Sequence, residues 1–305
     1  MTYAITPLTA SVERVAFPQS LQWQRSGAAL GEPNARVVNF VVDTAVYSVT
    51  RGTGEQSNVI TIKQLGGDPT PPPTGDPLFA SVLLLLHMDA LGSTSYVDDS
   101  GTHKTMTTLS TPPAQVASPS KFGNSVAQFI DAGGSIILVA TPLEAAQFAF
   151  PTGDFTIEMW VYRTSAPTNS VLFRWGDVNS QHPYSLYINN SAPGSRAAFE
   201  FYGWDDTGTL AYNLYSTTTV ALNTWYFVQA RRSGNVMALA VNGVQEASTT
   251  LAPGSTTLFD NEATKVGIGD YPDGSGVRFH GYVDEVRITR AARDFALQTE
   301  IFPSF

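Results

Sequence analysis

Cysteine is absent from all 305 residues. That excludes disulfides, thiolate metal sites and cysteine nucleophiles. An extracellular chain of this kind must rely on a large core, a metal or oligomerisation. Histidine is scarce, with four residues, and basic residues are outnumbered, 17 Lys and Arg against 26 Asp and Glu. The deficit lies in the second part: residues 1–76 carry five basic and six acidic groups, residues 77–305 twelve and twenty. No basic stripe is present, so nucleic acid is not an expected partner. No apolar run approaches the roughly 20 residues that cross a bilayer, so no membrane span is expected. Met1-Thr2-Tyr3-Ala4 has neither the basic start nor the apolar centre of a signal peptide, and secretion by that route is not expected.

What the chain does contain is period-two alternation. Asp154 to Arg163 reads D-F-T-I-E-M-W-V-Y-R. Phe155, Ile157, Met159 and Val161 share one face of an extended strand, and Thr156, Glu158, Trp160 and Tyr162 share the other. One face is sealed and apolar; the second mixes aromatics with polar groups and is able to touch something. This strand and the run Val171–Trp175 suit the middle of a β-sandwich.

Three short strands are expected in the first part, at Val37–Val42, Tyr47–Thr50 and Val59–Ile62, with a turn at residues 52–58. A unit of about 60 residues is near the lower limit for independent stability. Residues 66–77, G-G-D-P-T-P-P-P-T-G-D-P, read as a semi-rigid polyproline spacer, the alternative being a docking site for another protein. The expected division is therefore a small β-rich anchoring or assembly domain at 1–65, a linker at 66–77 and a larger domain at 78–305.

Leu83–Asp89 opens that larger domain as a buried strand. Strands at Ser125–Phe129 and Ser135–Val139 flank Gly133-Gly134, which reads as a hairpin. Strands follow at Tyr184–Ile188, Ala197–Tyr202, Leu210–Tyr215 and Trp225–Arg231. Met237–Val241 and Val244–Ala247 flank Asn242-Gly243, the strongest two-residue hairpin signal in the chain. Lys265–Ile268 and Tyr282–Ile288 close the domain. Many short strands without a sustained helical period argue for an all-β, two-sheet antiparallel sandwich or jelly roll.

An ordered set of phrases narrows this: L-L-L-H-M-D (84–89), D-D-S-G (98–101), K-F-G-N-S-V-A-Q-F (121–129), D-F-T-I-E-M-W-V (154–161), N-T-W-Y-F-V (223–228), V-N-G (241–243) and G-Y-V-D-E-V-R-I-T (281–289). The set resembles the concanavalin A-like, laminin-G-type jelly roll, particularly the version found in tailed-phage virion and tail-fibre proteins. There the pattern often runs on into a tail similar to Ala292–Phe295 and Phe302-Pro303. The resemblance covers about residues 82–303. It implies a non-enzymatic structural component of a virion, a decoration, fibre or tail-associated protein. Residues 1–65 would hold other virion proteins, in a homo-oligomer with a trimer favoured, and the jelly roll would face outward for adhesion, with a host-surface glycan as partner. A carbohydrate-binding module of a bacterial or phage surface protein and a polysaccharide-degrading enzyme are the alternatives.

Candidate chemistry is sparse. A retaining glycosidase needs two carboxylates about 5–5.5 Å apart, yet no acidic cluster on one strand supplies them, and nothing assembles a nucleophile–His–acid triad. For a glycan, Tyr202-Gly203-Trp204-Asp205-Asp206 presents a loop aromatic beside two carboxylates. Trp160, Trp175 and Trp225 read as core or sheet-face packing, and Arg231-Arg232 as a solvated face. The resemblance also implies a structural calcium, which takes six to eight oxygen ligands. Asp89 and Asp284 would stand near each other on the first and last strands of one sheet, with Asp98 or Asp99 joining from the next turn. The alternative leaves Asp89 capping a turn and Asp284 paired with a base.

Overall fold

The computed structural model describes residues 37–42, 45–51, 60–64, 75–109, 111–130, 136–139, 141–176, 182–259, 266–272, 274 and 277–304. The chain divides into two compact units, Met1–Thr74 and Gly75–Phe305. In the first, β1 (Val37–Val42), β2 (Ala45–Arg51) and β3 (Ile60–Gln64) form an antiparallel sheet in that order. The turn expected at 52–58 lies outside the described residues.

The second unit runs through β4 (Val82–Leu86), β5 (Met106–Leu109), β6 (Ala114–Val116), β7 (Val126–Phe129), β8 (Ile136–Val139), β9 (Phe155–Arg163) and β10 (Asn169–Trp175). It continues through β11 (Ser185–Ala192), β12 (Arg196–Trp204), β13 (Leu210–Tyr215), β14 (Trp225–Ser233), β15 (Val236–Val241), β16 (Val244–Thr250), β17 (Val266–Ile268) and β18 (Gly281–Thr289). Two antiparallel sheets result. One has the order β13-β12-β11-β10-β17-β8-β5, the other β16-β15-β14-β9-β18-β7-β6, with β4 also paired to β18. This is an all-β jelly-roll sandwich.

The core lies between the sheets, and strand periodicity fills it. Phe155, Ile157, Met159 and Val161 of β9 face Phe199 and Phe201 of β12 and Leu186 and Ile188 of β11 within one apolar cluster. β9 is central, with β14 on one side and β18 on the other. Its outer face carries Thr156, Glu158, Trp160 and Tyr162, as the alternation requires. At Asn242-Gly243 both residues have positive φ, 51° and 80°, the geometry of a type I′ hairpin, and β15 and β16 pair across it.

Several expectations give way. Residues 133 and 134 lie outside the described residues, but the strands around them do not form a hairpin: β7 pairs with β18 and β6, β8 with β17 and β5. The chain changes sheets there. The first strand ends at Leu86 rather than Asp89, because Met88 takes φ 63° and breaks the extended run. Arg232 is 1% exposed, not solvated; its guanidinium donates to the carbonyls of Pro151, Gly234 and Thr256. Asp76 belongs to the sandwich, not the linker: Arg287 and Arg293 both donate to it. No helix among the described residues is long and apolar enough to cross a membrane.

Candidate functional site

The outer face of the sheet β13-β12-β11-β10 is polar and aromatic rather than apolar. Alternation sends Phe199, Phe201, Leu186 and Ile188 inward, so Glu200, Tyr202 and Trp204 of β12 and Ser185, Tyr187 and Asn189 of β11 point outward. Pairing sets them in rows. Arg174, Ser185, Tyr202 and Asn213 stand opposite one another across four strands, and Tyr187, Glu200 and Tyr215 form the next row. Arg174 donates to the Tyr187 hydroxyl at 3.1 Å and lies 4.3 Å from the Tyr271 ring centroid. Asn189 donates to Glu200 at 2.9 Å. Arg278 and Asp270 form an ion pair at 3.3 Å. The floor is buried, while Tyr202, Trp204, Tyr215 and Tyr271 remain half-exposed.

The aromatics touch in sequence. Ring centroids are 5.2 Å apart for Tyr187–Tyr202, 5.4 Å for Tyr202–Trp204 and 4.5 Å for Trp204–His182. Burial pushes the Tyr202 phenol up to about 12 and Tyr187 upward as well; Tyr187 is buried and accepts from Arg174, so the half-exposed Tyr202 hydroxyl is the one open to a ligand. Gly203 seats His182. A Cβ at 203 would lie 1.9 Å from the Pro183 carbonyl oxygen, which also accepts from the Tyr212 hydroxyl at 2.9 Å.

Of the four residues expected to contact a ligand, Tyr202 and Trp204 sit on this face. Trp204 is not on a loop: it ends β12 and pairs with Leu210. Asp205 points inward and is 2% exposed. Its carboxylate accepts from the N–H groups of Thr207 and Thr209, the Thr207 hydroxyl and the Ser255 hydroxyl, the last at 2.5 Å. Burial works against its charge, but these donors prevail and hold its pKa at about 2. Asp205 is the keystone of the 205–209 turn, its oxygens taken by protein donors. Asp206 is exposed at the edge.

Of the three residues expected at a calcium, Asp284 lies on β18 within its sheet, between β9 and β7, and Asp89 and Asp99 lie in the segment after β4. β4 does pair with β18, so the first and last strands adjoin. Asp284 is fully buried. Its Oδ2 accepts from the N–H groups of Lys121 and Phe122 at 2.8 and 3.1 Å, and its Oδ1 has no protein partner. Burial raises its pKa to about 7. Asp89 accepts from the Asn124 N–H at 2.9 Å and shares a surface recess with Asp99 and His87. Among the described residues no three His, Asp or Glu side chains gather to hold a metal ion. Asp284 Oδ1 is the one oxygen of the set whose buried, unsatisfied state fits a cation. Asp98 is spent within its turn, accepting from Leu85, Ser100 and Lys104, and His87 bridges Glu285 and Ser304.

A family model described as the concanavalin A-like lectin/glucanases superfamily matches residues 139–295. The chain belongs to that superfamily. Solved structures agree on the fold. Domain 4 of AbnA, an extracellular arabinanase from Geobacillus stearothermophilus solved with arabinotriose, is 15% identical with a TM-score of 0.50, over 70% of this chain and 93% of that one. The binding domain of botulinum neurotoxin serotype D/C is 13% identical with a TM-score of 0.52, over 71% of this chain and 50% of that one. A structure of botulinum neurotoxin type C, a toxin whose cell entry depends on interaction with two ganglioside molecules, is 14% identical with a TM-score of 0.52, over 71% of this chain and 49% of that one. The chain thus spans about half the length of the toxin chains. No curated protein matches the chain in sequence.

In this concanavalin A-like sandwich the sequence identified Tyr202 and Trp204, but missed Arg174, His182, Ser185, Glu200 and Tyr271. The outward positions of β11 and β12 were open to alternation once Phe199 and Phe201 were assigned inward. Arg174 and Tyr271 arrive through pairing of distant strands, which no local pattern encodes.

Proposed function

We propose that residues 75–305 form a non-catalytic carbohydrate-binding module whose glycan lies across Tyr202 and Trp204. The observation that carries this is the half-exposed aromatic pair beside Asn213 and the Asn189–Glu200 amide–carboxylate pair. Flat rings cover sugar C–H faces, and fixed amides and carboxylates take hydroxyl hydrogen bonds. An arabinanase domain solved with arabinotriose and a toxin dependent on gangliosides support the reading as relatives in fold. Trp204→Ala and Tyr202→Ala should each weaken binding of a glycan-array hit by roughly 1–3 kcal/mol, read by titration calorimetry. Unchanged affinity in both variants would remove this face from consideration. A polysaccharide-degrading role predicts release of reducing ends from polymers carrying the array hit, and we expect none.

A second reading concerns where the module is carried. The chain divides after residue 74, behind a proline run, which supports a small unit that attaches and a sandwich that is displayed. We propose that residues 1–65 anchor it to a tailed-phage particle as an oligomer, a trimer being favoured. Deleting residues 1–74 should abolish particle association and leave a monomer by light scattering. A sandwich that still decorated particles would end this division of labour.

A further inference from the structure

The outer face of the other sheet is a ladder of cross-strand rows over β18, β9 and β14. Thr289–Thr156–Arg231 is followed by Arg287–Glu158–Gln229, then Asp284–Trp160–Phe227, then Tyr282–Tyr162–Trp225. The chain's own C-terminal segment covers the first three rows. Arg293 N–H donates to the Thr156 hydroxyl, the Arg293 side chain binds Asp76 beside Arg287, and Phe302 packs on Phe227 with its centroid 6.2 Å away. Phe122 and Lys121 close over Trp160. The fourth row is left half-exposed, with ring centroids 5.7 Å apart for Tyr282–Tyr162 and 5.4 Å for Tyr162–Trp225.

A cavity of about 210 Å³ opens at the Tyr282 end of that row, lined by Gln128, Phe129, Thr164, Ser165, His280 and Tyr282 among others. Among the described residues the lining offers hydroxyls, an amide, an imidazole, aromatic rings and the apolar side chain of Ile130, with no Asp, Glu, Lys or Arg. Gln128 stands opposite Tyr282 and donates to its hydroxyl at 3.2 Å, which leaves the Gln128 carbonyl oxygen as an acceptor. Ser165 and His280 share a hydrogen bond at 2.8 Å, and the Thr164 side chain is exposed. Gly281 brings the walls together, since a Cβ there would lie 2.1 Å from the Tyr162 carbonyl oxygen. The volume exceeds several waters at about 30 Å³ each and falls short of the roughly 300–1,000 Å³ of sites for larger ligands.

We propose that this edge is a second carbohydrate-binding site, in which the cavity holds one uncharged sugar residue and the Tyr282–Tyr162–Trp225 row carries the next. The described lining offers an ionised ligand no counter-charge. It suits hydroxyl groups, which both donate and accept. The aromatic row leading from the mouth supplies stacking surface for a chain that continues outward. This inference rests on the same reading of the domain as a carbohydrate binder, but on none of the same residues.

The test uses the full chain on an array of neutral oligosaccharides built from glucose, galactose, mannose, arabinose and N-acetylhexosamines. The wild type is compared with Gln128→Ala, Thr164→Ala, Tyr282→Ala and Trp204→Ala. Thr164 is exposed, so its variant reports on binding even if Tyr282→Ala fails to fold. The expected result is a neutral hit that survives Trp204→Ala and weakens roughly tenfold in Tyr282→Ala, with smaller losses in the other two edge variants. If Trp204→Ala removes every hit and the edge variants remove none, the second site is overturned while the proposed function stands. If the edge variants remove every hit and Trp204→Ala none, the face around Trp204 is overturned and the edge site stands. No neutral hit for the wild type overturns the edge site outright.

Discussion

Asp76 and Arg293, 217 residues apart, form a two-pronged pair: Nη1 donates to Oδ1 at 2.9 Å and Nη2 to Oδ2 at 2.5 Å. The same carboxylate accepts from Arg287, whose Nε donates to Glu158 at 2.7 Å. Two cations and two carboxylates thus tie the entry of the sandwich, its central strand β9, its closing strand β18 and the C-terminal segment together. The side chains of Asp76 and Arg293 are 3% and 10% exposed, so the network is buried and removal of one member strands the rest. Asp76→Ala should cost about 3–5 kcal/mol of unfolding free energy, the usual penalty for breaking a buried pair. Urea denaturation of residues 75–305 measures it. A fragment starting at residue 78 should show a similar deficit, because it lacks the carboxylate.

Acid should reach the 205–209 turn by a separate route. Asp205 is held at about 2 in the folded chain against about 3.9 in an unfolded one. A depressed folded value means that the carboxylate stabilises the fold above the unfolded value and loses that contribution as pH falls through the folded one. Stability should therefore decline between about pH 4 and pH 2. Asp205→Asn should lower stability at neutral pH and flatten this acid limb. It should also retain glycan binding within a few fold where Trp204→Ala does not, because the carboxylate is buried and engaged by the donors of its own turn. A loss equal to that of Trp204→Ala would return Asp205 to the binding face.

Gly203 links packing to the binding face. A methyl group at 203 would meet the Pro183 carbonyl oxygen at 1.9 Å and the Tyr212 hydroxyl at 2.8 Å. The Pro183 carbonyl belongs to backbone that also hydrogen-bonds through β12, His182 O accepting from Trp204 N at 2.9 Å. Gly203→Ala should cost about 1–3 kcal/mol, as overpacking does. It should also weaken glycan binding by displacing His182 from Trp204. Denaturation and titration on the same variant separate the two effects, and full affinity in a destabilised variant would show that His182 does not position the indole.

How much of this was legible follows from the range of each signal. Alternation assigned all eight residues 155–162 of β9 to the correct faces, because period two is a property of the strand itself. Asn242-Gly243 was legible for the same local reason: the turn demands two positive φ values, and few other residue pairs accept them. Gly133-Gly134 carried a similar signal but stands where the chain leaves one sheet for the other, and the sheet a strand joins is decided by distant partners. Arg232 was misplaced because a cationic side chain is ordinarily solvated; here three carbonyls at loop ends repay its burial. Trp204 was assigned to a loop because Gly203 and Asp205 look like turn residues. Gly203 instead marks a close backbone approach within a strand, and Asp205 begins the turn one residue later. Arg174, Ser185 and Tyr202 share a row only because β10, β11 and β12 pair in one register, so the site became visible with the sheet.

Calcium is best tested at Asp284. The carboxylate spends Oδ2 on two backbone N–H groups and leaves Oδ1 buried without a partner, opposite Trp160, whose Nε1 is likewise unsatisfied. A cation at Oδ1 would hold the carboxylate ionised and fasten the 121–122 segment to β18, with water completing its coordination, since no three His, Asp or Glu side chains of the described residues gather there. A ligand bound by the native state alone stabilises it by about 2.7 kcal/mol at a hundredfold excess over its dissociation constant. For a chain of this size that amounts to several degrees in the melting temperature. The proposal expects calcium to raise the melting temperature of the wild type, a chelator to lower it and Asp284→Asn to abolish the difference. A melting temperature indifferent to both additions assigns Asp284 to fastening the 121–122 backbone, and Asp89 to holding the Asn124 N–H, without a metal.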